Sequence, residues 1–245
     1  MVRLWAHAGL VDLAHWLAFA WVLTFVFRSW ASWRFLLNFN LSASVAVGLI
    51  AIAQRLDFLL LGYVGPFERL ESTLGNPSYT GAYLVMNVFV AMGFLGWSLL
   101  REGDRPTPSR HAWLWPEGLW RMFWASAALL DVTVLYLGGS RGALVGLLAG
   151  LLFFGAGYVA WGREGRLRSV SMAALGLAAV VVLVVALVRN TAAFGEVARH
   201  DLMLSRIAAT GAGDASLTGR IDVAQAGLKG FTERPILGWG RRTSP

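Results

Sequence analysis

Apolar positions in this chain come in long blocks, without the strict alternation of a half-buried strand or the single stripe of a surface helix. The blocks lie near residues 9–27, 39–54, 81–100, 120–138, 142–161 and 170–188. Most approach the ~20 residues that a helix needs to cross a bilayer, so the pattern predicts an all-α, polytopic membrane protein with about six transmembrane helices. The second block is the shortest and is interrupted by Ser42 and Ser44. Almost nothing separates the fourth from the fifth, which predicts a tight helical hairpin with Ser140 and Arg141 at its tip.

Past Arg189 the character changes. Residues 189–245 are polar and glycine-bearing, with Asp201, Asp214, Asp222 and Glu233, and read as the start of a loop that follows a transmembrane region over 1–188. Within that loop Ile221, Ala224, Leu228 and Phe231 recur at helical spacing, with Asp222, Gln225 and Lys229 on another face. This predicts an amphipathic helix near 219–232, lying outside the membrane or along its surface and stopped by Pro235 and Gly238.

Composition agrees with the pattern. The chain has 245 residues, 57% of them hydrophobic and only 14% charged, with no cysteine, and its mean hydropathy is +0.59. A soluble domain is about a quarter charged. The absence of cysteine excludes a disulfide framework, a thiolate metal site and a cysteine nucleophile. Net charge is +7, nearly all from arginine, since Lys229 is the sole lysine. In a soluble chain that balance suggests nucleic acid; here the arginines lie mostly between spans, where membrane orientation accounts for them and no nucleic-acid partner is expected.

The links 28–38, 101–119 and 162–169 carry Arg28 and Arg34, then Arg101, Arg105 and Arg110, then Arg163, Arg166 and Arg168. They alternate so as to share one face, which the positive-inside rule makes cytoplasmic. The link 55–80, the Arg141 tip and the segment after Arg189 then share the opposite face. Trp113, Trp115 and Trp120 in and beside the turn-rich link 101–119 fit an interfacial aromatic belt.

Arg141 leads the residues able to carry chemistry. It sits in Gly138-Gly139-Ser140-Arg141-Gly142-Ala143. One reading is an arginine that snorkels to the headgroups. The other is an anion clamp, with neighbouring glycines opening space around a planar, permanently charged fork that suits phosphate or diphosphate. Arg220, in Ser216-Leu217-Thr218-Gly219-Arg220-Ile221-Asp222, opens the amphipathic helix, where an arginine and free amides can share one phosphate; the plain alternative is a local pair with Asp222. Leu74-Gly75-Asn76-Pro77-Ser78-Tyr79-Thr80-Gly81 is a turn that starts the third span, with Asn76 bonding nearby backbone and Tyr79 and Tyr83 as possible interface anchors. Asp131, deep in the fourth span, is either functional, or protonated, or bonded to Thr133 or to another helix. Asp12 and His15 share a helix face and suggest a polar helix–helix contact. His7, His15, His111 and His200 show no metal-ligand spacing, and no P-loop, dinucleotide fingerprint or nucleophile elbow is present.

Three runs together resemble the O-antigen ligase and Wzy-type polymerase superfamily of membrane glycosyltransferases. They are Ser72-Thr73-Leu74-Gly75-Asn76-Pro77-Ser78-Tyr79 leading into Gly81-Ala82-Tyr83-Leu84, then Gly139-Ser140-Arg141-Gly142-Ala143, then Leu217-Thr218-Gly219-Arg220 with Pro235-Ile236-Leu237-Gly238-Trp239-Gly240. The resemblance extends over roughly residues 40–240. It implies ligation or polymerisation of glycans carried on undecaprenyl diphosphate, with lipid A-core or another glycan as acceptor, at the periplasmic face of a bacterial inner membrane. It further implies an inverting reaction with no metal or other cofactor. By position Arg141 and Arg220 would hold the lipid diphosphate and act as catalytic residues, with Asn76 and Tyr79 as further substrate contacts.

The chain departs from that pattern in one respect. No histidine here occupies the place of the residue thought to act as general base in the family's ligases. With few spans ahead of the matched region as well, the chain reads as the middle of a longer enzyme, expected to be inactive alone. Two other classes compete. An anionic-lipid transporter or flippase predicts polar residues lining several spans at mid-membrane, where Asp131 alone stands out. A non-catalytic scaffold predicts that Arg141 and Arg220 tolerate alanine.

Overall fold

Every apolar block becomes a helix. The computed structural model describes residues 10–58, 64–65, 68–100, 117–161, 166–209 and 215–233. The long helices are α1 (Leu10–Val26), α2 (Trp30–Arg55), α3 (Pro77–Leu100), α4 (Glu117–Leu137), α5 (Arg141–Trp161) and α6 (Arg166–Val188). Two short helices follow, α7 (Ala192–Ala198) and α8 (Leu202–Ala208), and then α9 (Ala215–Glu233). The arginines and tryptophans of 101–116, Arg163, His7, His111 and the run from Pro235 lie outside the described residues.

Among the described residues Trp30–Arg55, Pro77–Ser98 and Glu117–Leu137 are long and apolar enough to cross a membrane. Ala178–Val188 and Ala192–Ala198, bent by 104°, make a fourth if taken as one span, while Leu13–Val26 and Arg141–Gly157 are apolar but shorter. The protein is therefore a helical membrane protein with three or four such spans by this measure.

The second block is the largest departure from expectation. It is the longest helix, and it starts at Trp30, so Arg34 lies on α2 and the link before it is only a few residues. Polar residues made this stretch look weak as a span, but Asn38, Asn40, Ser42 and Ser44 are all hydrogen-bonded. Ser42 Oγ donates to the Asn38 carbonyl (2.9 Å) and Ser44 Oγ to the Leu41 carbonyl (2.9 Å). Asn40 Nδ2 donates to Asn87 Oδ1 on α3 (2.6 Å), and Trp124 Nε1 on α4 donates to Asn38 Oδ1 (2.7 Å). Ser29 starts the helix as its cap, accepting from the Ser32 amide (3.1 Å).

The chain divides into two units, Leu36–Ala208 and Met1–Phe35 with Ala209–Pro245. In the first, α2, α3 and α4 bury two apolar clusters. Leu41, Ala91, Phe94 and Trp124 form one, with the Phe94 and Trp124 rings stacked at 5.0 Å. Trp120 stacks on Trp124 at 5.9 Å and packs against this cluster. Ala51, Leu70, Leu84 and Val134 form the other, near the α4–α5 turn. In the second unit, Arg28 lies just past the end of α1; its Nε donates to the Phe25 carbonyl (2.9 Å) and its guanidinium lies 4.3 Å from the Phe25 ring centroid. Most side chains described on α9 are exposed, the apolar Ile221, Leu228 and Phe231 included.

Candidate functional site

The α4–α5 turn is built by its own backbone. Gly138 N donates to the Val134 carbonyl (2.8 Å) and Gly139 N to that of Tyr136 (3.1 Å), which closes α4. Gly139 has φ +61°, a left-handed position that ends a helix without a Cβ penalty. Ser140, almost fully buried, starts the next helix: its carbonyl accepts from the Ala143 and Leu144 amides, both at 3.1 Å. Helix α3 crosses this turn at Gly81, where a Cβ would stand 2.7 Å from Ala143 Cβ and 3.3 Å from Ser140 Oγ. Glycine is what lets the two helices approach so closely.

Gly138 and Gly139 themselves are closed in, where open space was expected. A Cβ on Gly139 would meet Leu202 Cδ2 at 2.9 Å and Arg206 Cδ at 3.3 Å, and one on Gly138 would meet the Val134 carbonyl at 3.1 Å. Helix α8 therefore lies over the tip. Asp201 Oδ1 caps α8 by accepting from the Leu204 amide (2.8 Å), and Met203 is buried beneath it. Arg141, the half-buried first residue of α5, donates from Nη1 to the Arg206 carbonyl in the last turn of α8 (3.2 Å). The guanidinium thus faces the negative end of a short helix, the kind of partial charge an anion would replace.

The Asn76 turn lies beside this tip. Asn76 Oδ1 accepts from the Ser78 amide (2.8 Å) and so caps α3, the structural role anticipated for it. Thr80 Oγ1 donates to the Glu71 carbonyl (2.6 Å), and Ser72 Oγ to that of Val47 (2.7 Å). Arg69 Nη2 lies 3.5 Å from Ser78 Oγ. Between turn and tip is a cavity of about 10 Å³, the size of one water, lined by Leu70, Pro77, Thr80, Gly81, Gly138 and Ser140 among others. Tyr79 points outward, 68% exposed. Tyr83 is not an interface anchor: its hydroxyl donates to the Asn40 carbonyl (3.2 Å) in the α2–α3 seam.

Asp131 belongs to that buried seam. Its Oδ2 accepts from Ser44 Oγ of α2 (3.0 Å), whereas Thr133 Oγ1 turns back to the Leu129 carbonyl (2.8 Å). Of the two bonding partners expected for Asp131, the neighbouring helix is the one found, and not Thr133. Sequence reading missed Asn38, Asn40, Ser44 and Asn87 as its companions; their recurrence on facing helices was the available sign. Ser44, Asn87 and Asp131 are fully buried. They pair across helices instead of lining a passage.

Arg220 is exposed on α9, in the other unit, and among the described residues no ion pair joins it to Asp222. His15 and His200 are exposed. Among the described residues no group of three or more His, Cys, Asp or Glu is placed to hold a metal.

Fold and turn together define a polytopic helical membrane protein that presents an arginine at a buried helix–helix junction. Residues 126–245 match the family model described as O-antigen ligase and belong to that family. The match contains two of the three runs on which the resemblance rested, those of Arg141 and Arg220, while the Asn76 run precedes it. No curated protein and no solved structure matches the chain.

Proposed function

We propose that this protein takes part in transferring or polymerising glycans carried on undecaprenyl diphosphate, at the periplasmic face of a bacterial inner membrane. The observation that carries this reading is the family match over residues 126–245, which includes both Arg141 and Arg220. The proposed topology has six spans over 1–188, with the α4–α5 turn and residues 189–245 in the periplasm. The donor is the lipid-linked glycan, and the acceptor is lipid A-core or a second glycan.

In this scheme Arg141 and Arg220 hold the diphosphate, with Asn76 and Tyr79 as contacts nearer the glycan. An acceptor hydroxyl attacks the anomeric carbon as the bond to the diphosphate oxygen breaks, inverting that centre. The lipid diphosphate leaves with the bonding electron pair, and a general base takes the hydroxyl proton. The arginines act where negative charge grows, on the leaving oxygens. Binding there would exchange the Arg206 carbonyl for a phosphate oxygen on the Arg141 fork, a stronger charge-assisted bond.

The test is allelic replacement. Arg141→Ala and Arg220→Ala, each at the chromosomal locus, are expected to lower surface glycan by about 100-fold, the scale of losing one charge-stabilising donor. Arg141→Lys is expected to restore little, because an ammonium cannot reproduce a bidentate fork. A wild-type glycan ladder from both alanine strains, with protein levels unchanged, would sink the diphosphate reading.

A further inference from the structure

Arg55 ends α2 at the same end of the bundle as the Arg141 turn, and by residue type alone it would count as a second anion ligand. Its geometry says otherwise. Nη2 donates to the Leu137 carbonyl, the last residue of α4 (3.1 Å), and to the Glu68 carbonyl (3.0 Å). Nη1 donates to the Gly65 carbonyl, with that of Val64 at 3.4 Å. The segment it grips is itself closed, since Gly65 N donates to Glu68 Oε2 (3.2 Å) and Glu68 N to the Gly65 carbonyl (2.9 Å).

The Leu137 carbonyl is one of the groups that a helix end leaves without an intrahelical donor. It immediately precedes Gly138, the residue that opens the turn to Arg141. The gripped segment runs on to Leu70, which is buried and lines the cavity beneath Gly138 and Ser140. One guanidinium therefore ties the α4 terminus to the loop that floors the turn. It also places its charge at the negative ends of two helices, α2 and α4.

We propose that Arg55 is a positioning residue, which fixes the α4–α5 turn and through it the direction of the Arg141 guanidinium. Its two terminal nitrogens, Nη1 and Nη2, donate to carbonyl oxygens of two segments, so it acts on a bound anion through Arg141. Lysine keeps the charge but has one nitrogen in place of the two that together hold these carbonyls. The consequence for an anionic ligand rests on the diphosphate reading above; the consequence for the turn does not.

The experiment uses full-length protein in detergent, with Arg55→Ala, Arg55→Gln and Arg55→Lys. Hydrogen exchange at amides 138–144 is expected to speed up by about tenfold in the alanine and glutamine variants and less in the lysine variant, while amides 84–94 of α3 stay protected. Farnesyl diphosphate is then titrated onto Arg55→Ala, Arg141→Ala and the double variant. Arg55→Ala is expected to weaken binding about tenfold, with no further loss in the Arg141→Ala background. Unchanged exchange at 138–144 overturns the proposal, and so does an additive loss in the double variant, which would make Arg55 a ligand itself. If farnesyl diphosphate does not bind wild-type protein, the diphosphate reading fails, and the exchange data still decide the role of Arg55 in the turn.

Discussion

Gly139→Ala tests the docking of α8 on the hairpin tip in a way that can be worked from the coordinates. The residue sits at φ +61°, where an L-residue costs about 1–2 kcal/mol. The new Cβ would lie 2.9 Å from Leu202 Cδ2 and 3.0 Å from Leu202 Cγ. Because Cγ is close to the Leu202 backbone, a rotamer change at the tip of that side chain does not clear the contact. Overpacking of this kind costs about 1–3 kcal/mol, against about 0.4–1 kcal/mol regained from a stiffer unfolded chain. The net destabilisation is about 1–5 kcal/mol, and its midpoint of about 3 kcal/mol corresponds to about 6–12 °C in Tm for a chain of this size. Thermal unfolding in detergent, followed by tryptophan fluorescence, reads it directly. The second arm is Gly139→Ala with Leu202→Ala, which removes the clash and leaves the backbone term. That pair is expected to show about 1–3 kcal/mol of favourable coupling. A Gly139→Ala protein that melts with wild type, or a double variant with purely additive losses, would refute α8 packing on the tip.

Substitutions at two further positions separate roles that share a residue. Asn76→Asp keeps the oxygen that accepts from the Ser78 amide and removes the side-chain amide; Tm is expected to change by no more than the equivalent of about 0.5 kcal/mol. Surface glycan is expected to fall in the corresponding strain; an unchanged ladder would leave Asn76 as a cap alone. Asp131→Asn keeps an oxygen for Ser44 and is expected to melt within about 1 kcal/mol of wild type, whereas Asp131→Ala loses about 1–2 kcal/mol, the scale of an interhelical polar contact in a membrane. Equal melting of the two variants would show that the Ser44 contact carries no stability.

Helix existence was legible because long apolar runs favour helices, and all six blocks are helical, although only α2, α3 and α4 are by themselves long and apolar enough to cross a membrane. The start of α2 was not. Asn38, Asn40, Ser42 and Ser44 look like a polar interruption until their partners on α3, on α4 and in α2's own backbone are known. The short helices α7 and α8 lacked apolar periodicity, yet their caps were readable: Thr191 accepts from the Phe194 amide and Asp201 from the Leu204 amide. Arg141 was found as the residue at a glycine-rich turn, but the use of those glycines was misread. Gly139 admits α8, while the close approach of α3 is made by its own Gly81. Arg55 lay beyond sequence reasoning, because its link to Leu137 spans 82 positions and runs to a backbone carbonyl that no residue type announces.

The polar seam also constrains the order in which the protein is assembled. Chains are made from the N-terminus, so α2 is complete well before the helices that satisfy it. Ser42 and Ser44 are content at once, since each bonds to a carbonyl of its own helix. The Asn40 amide is not: its partner, Asn87 on α3, comes 47 residues later. Until then it faces either lipid, where an unsatisfied polar group costs several kcal/mol, or the insertion machinery. An early span is thus settled in the bilayer only once α3 has arrived beside it.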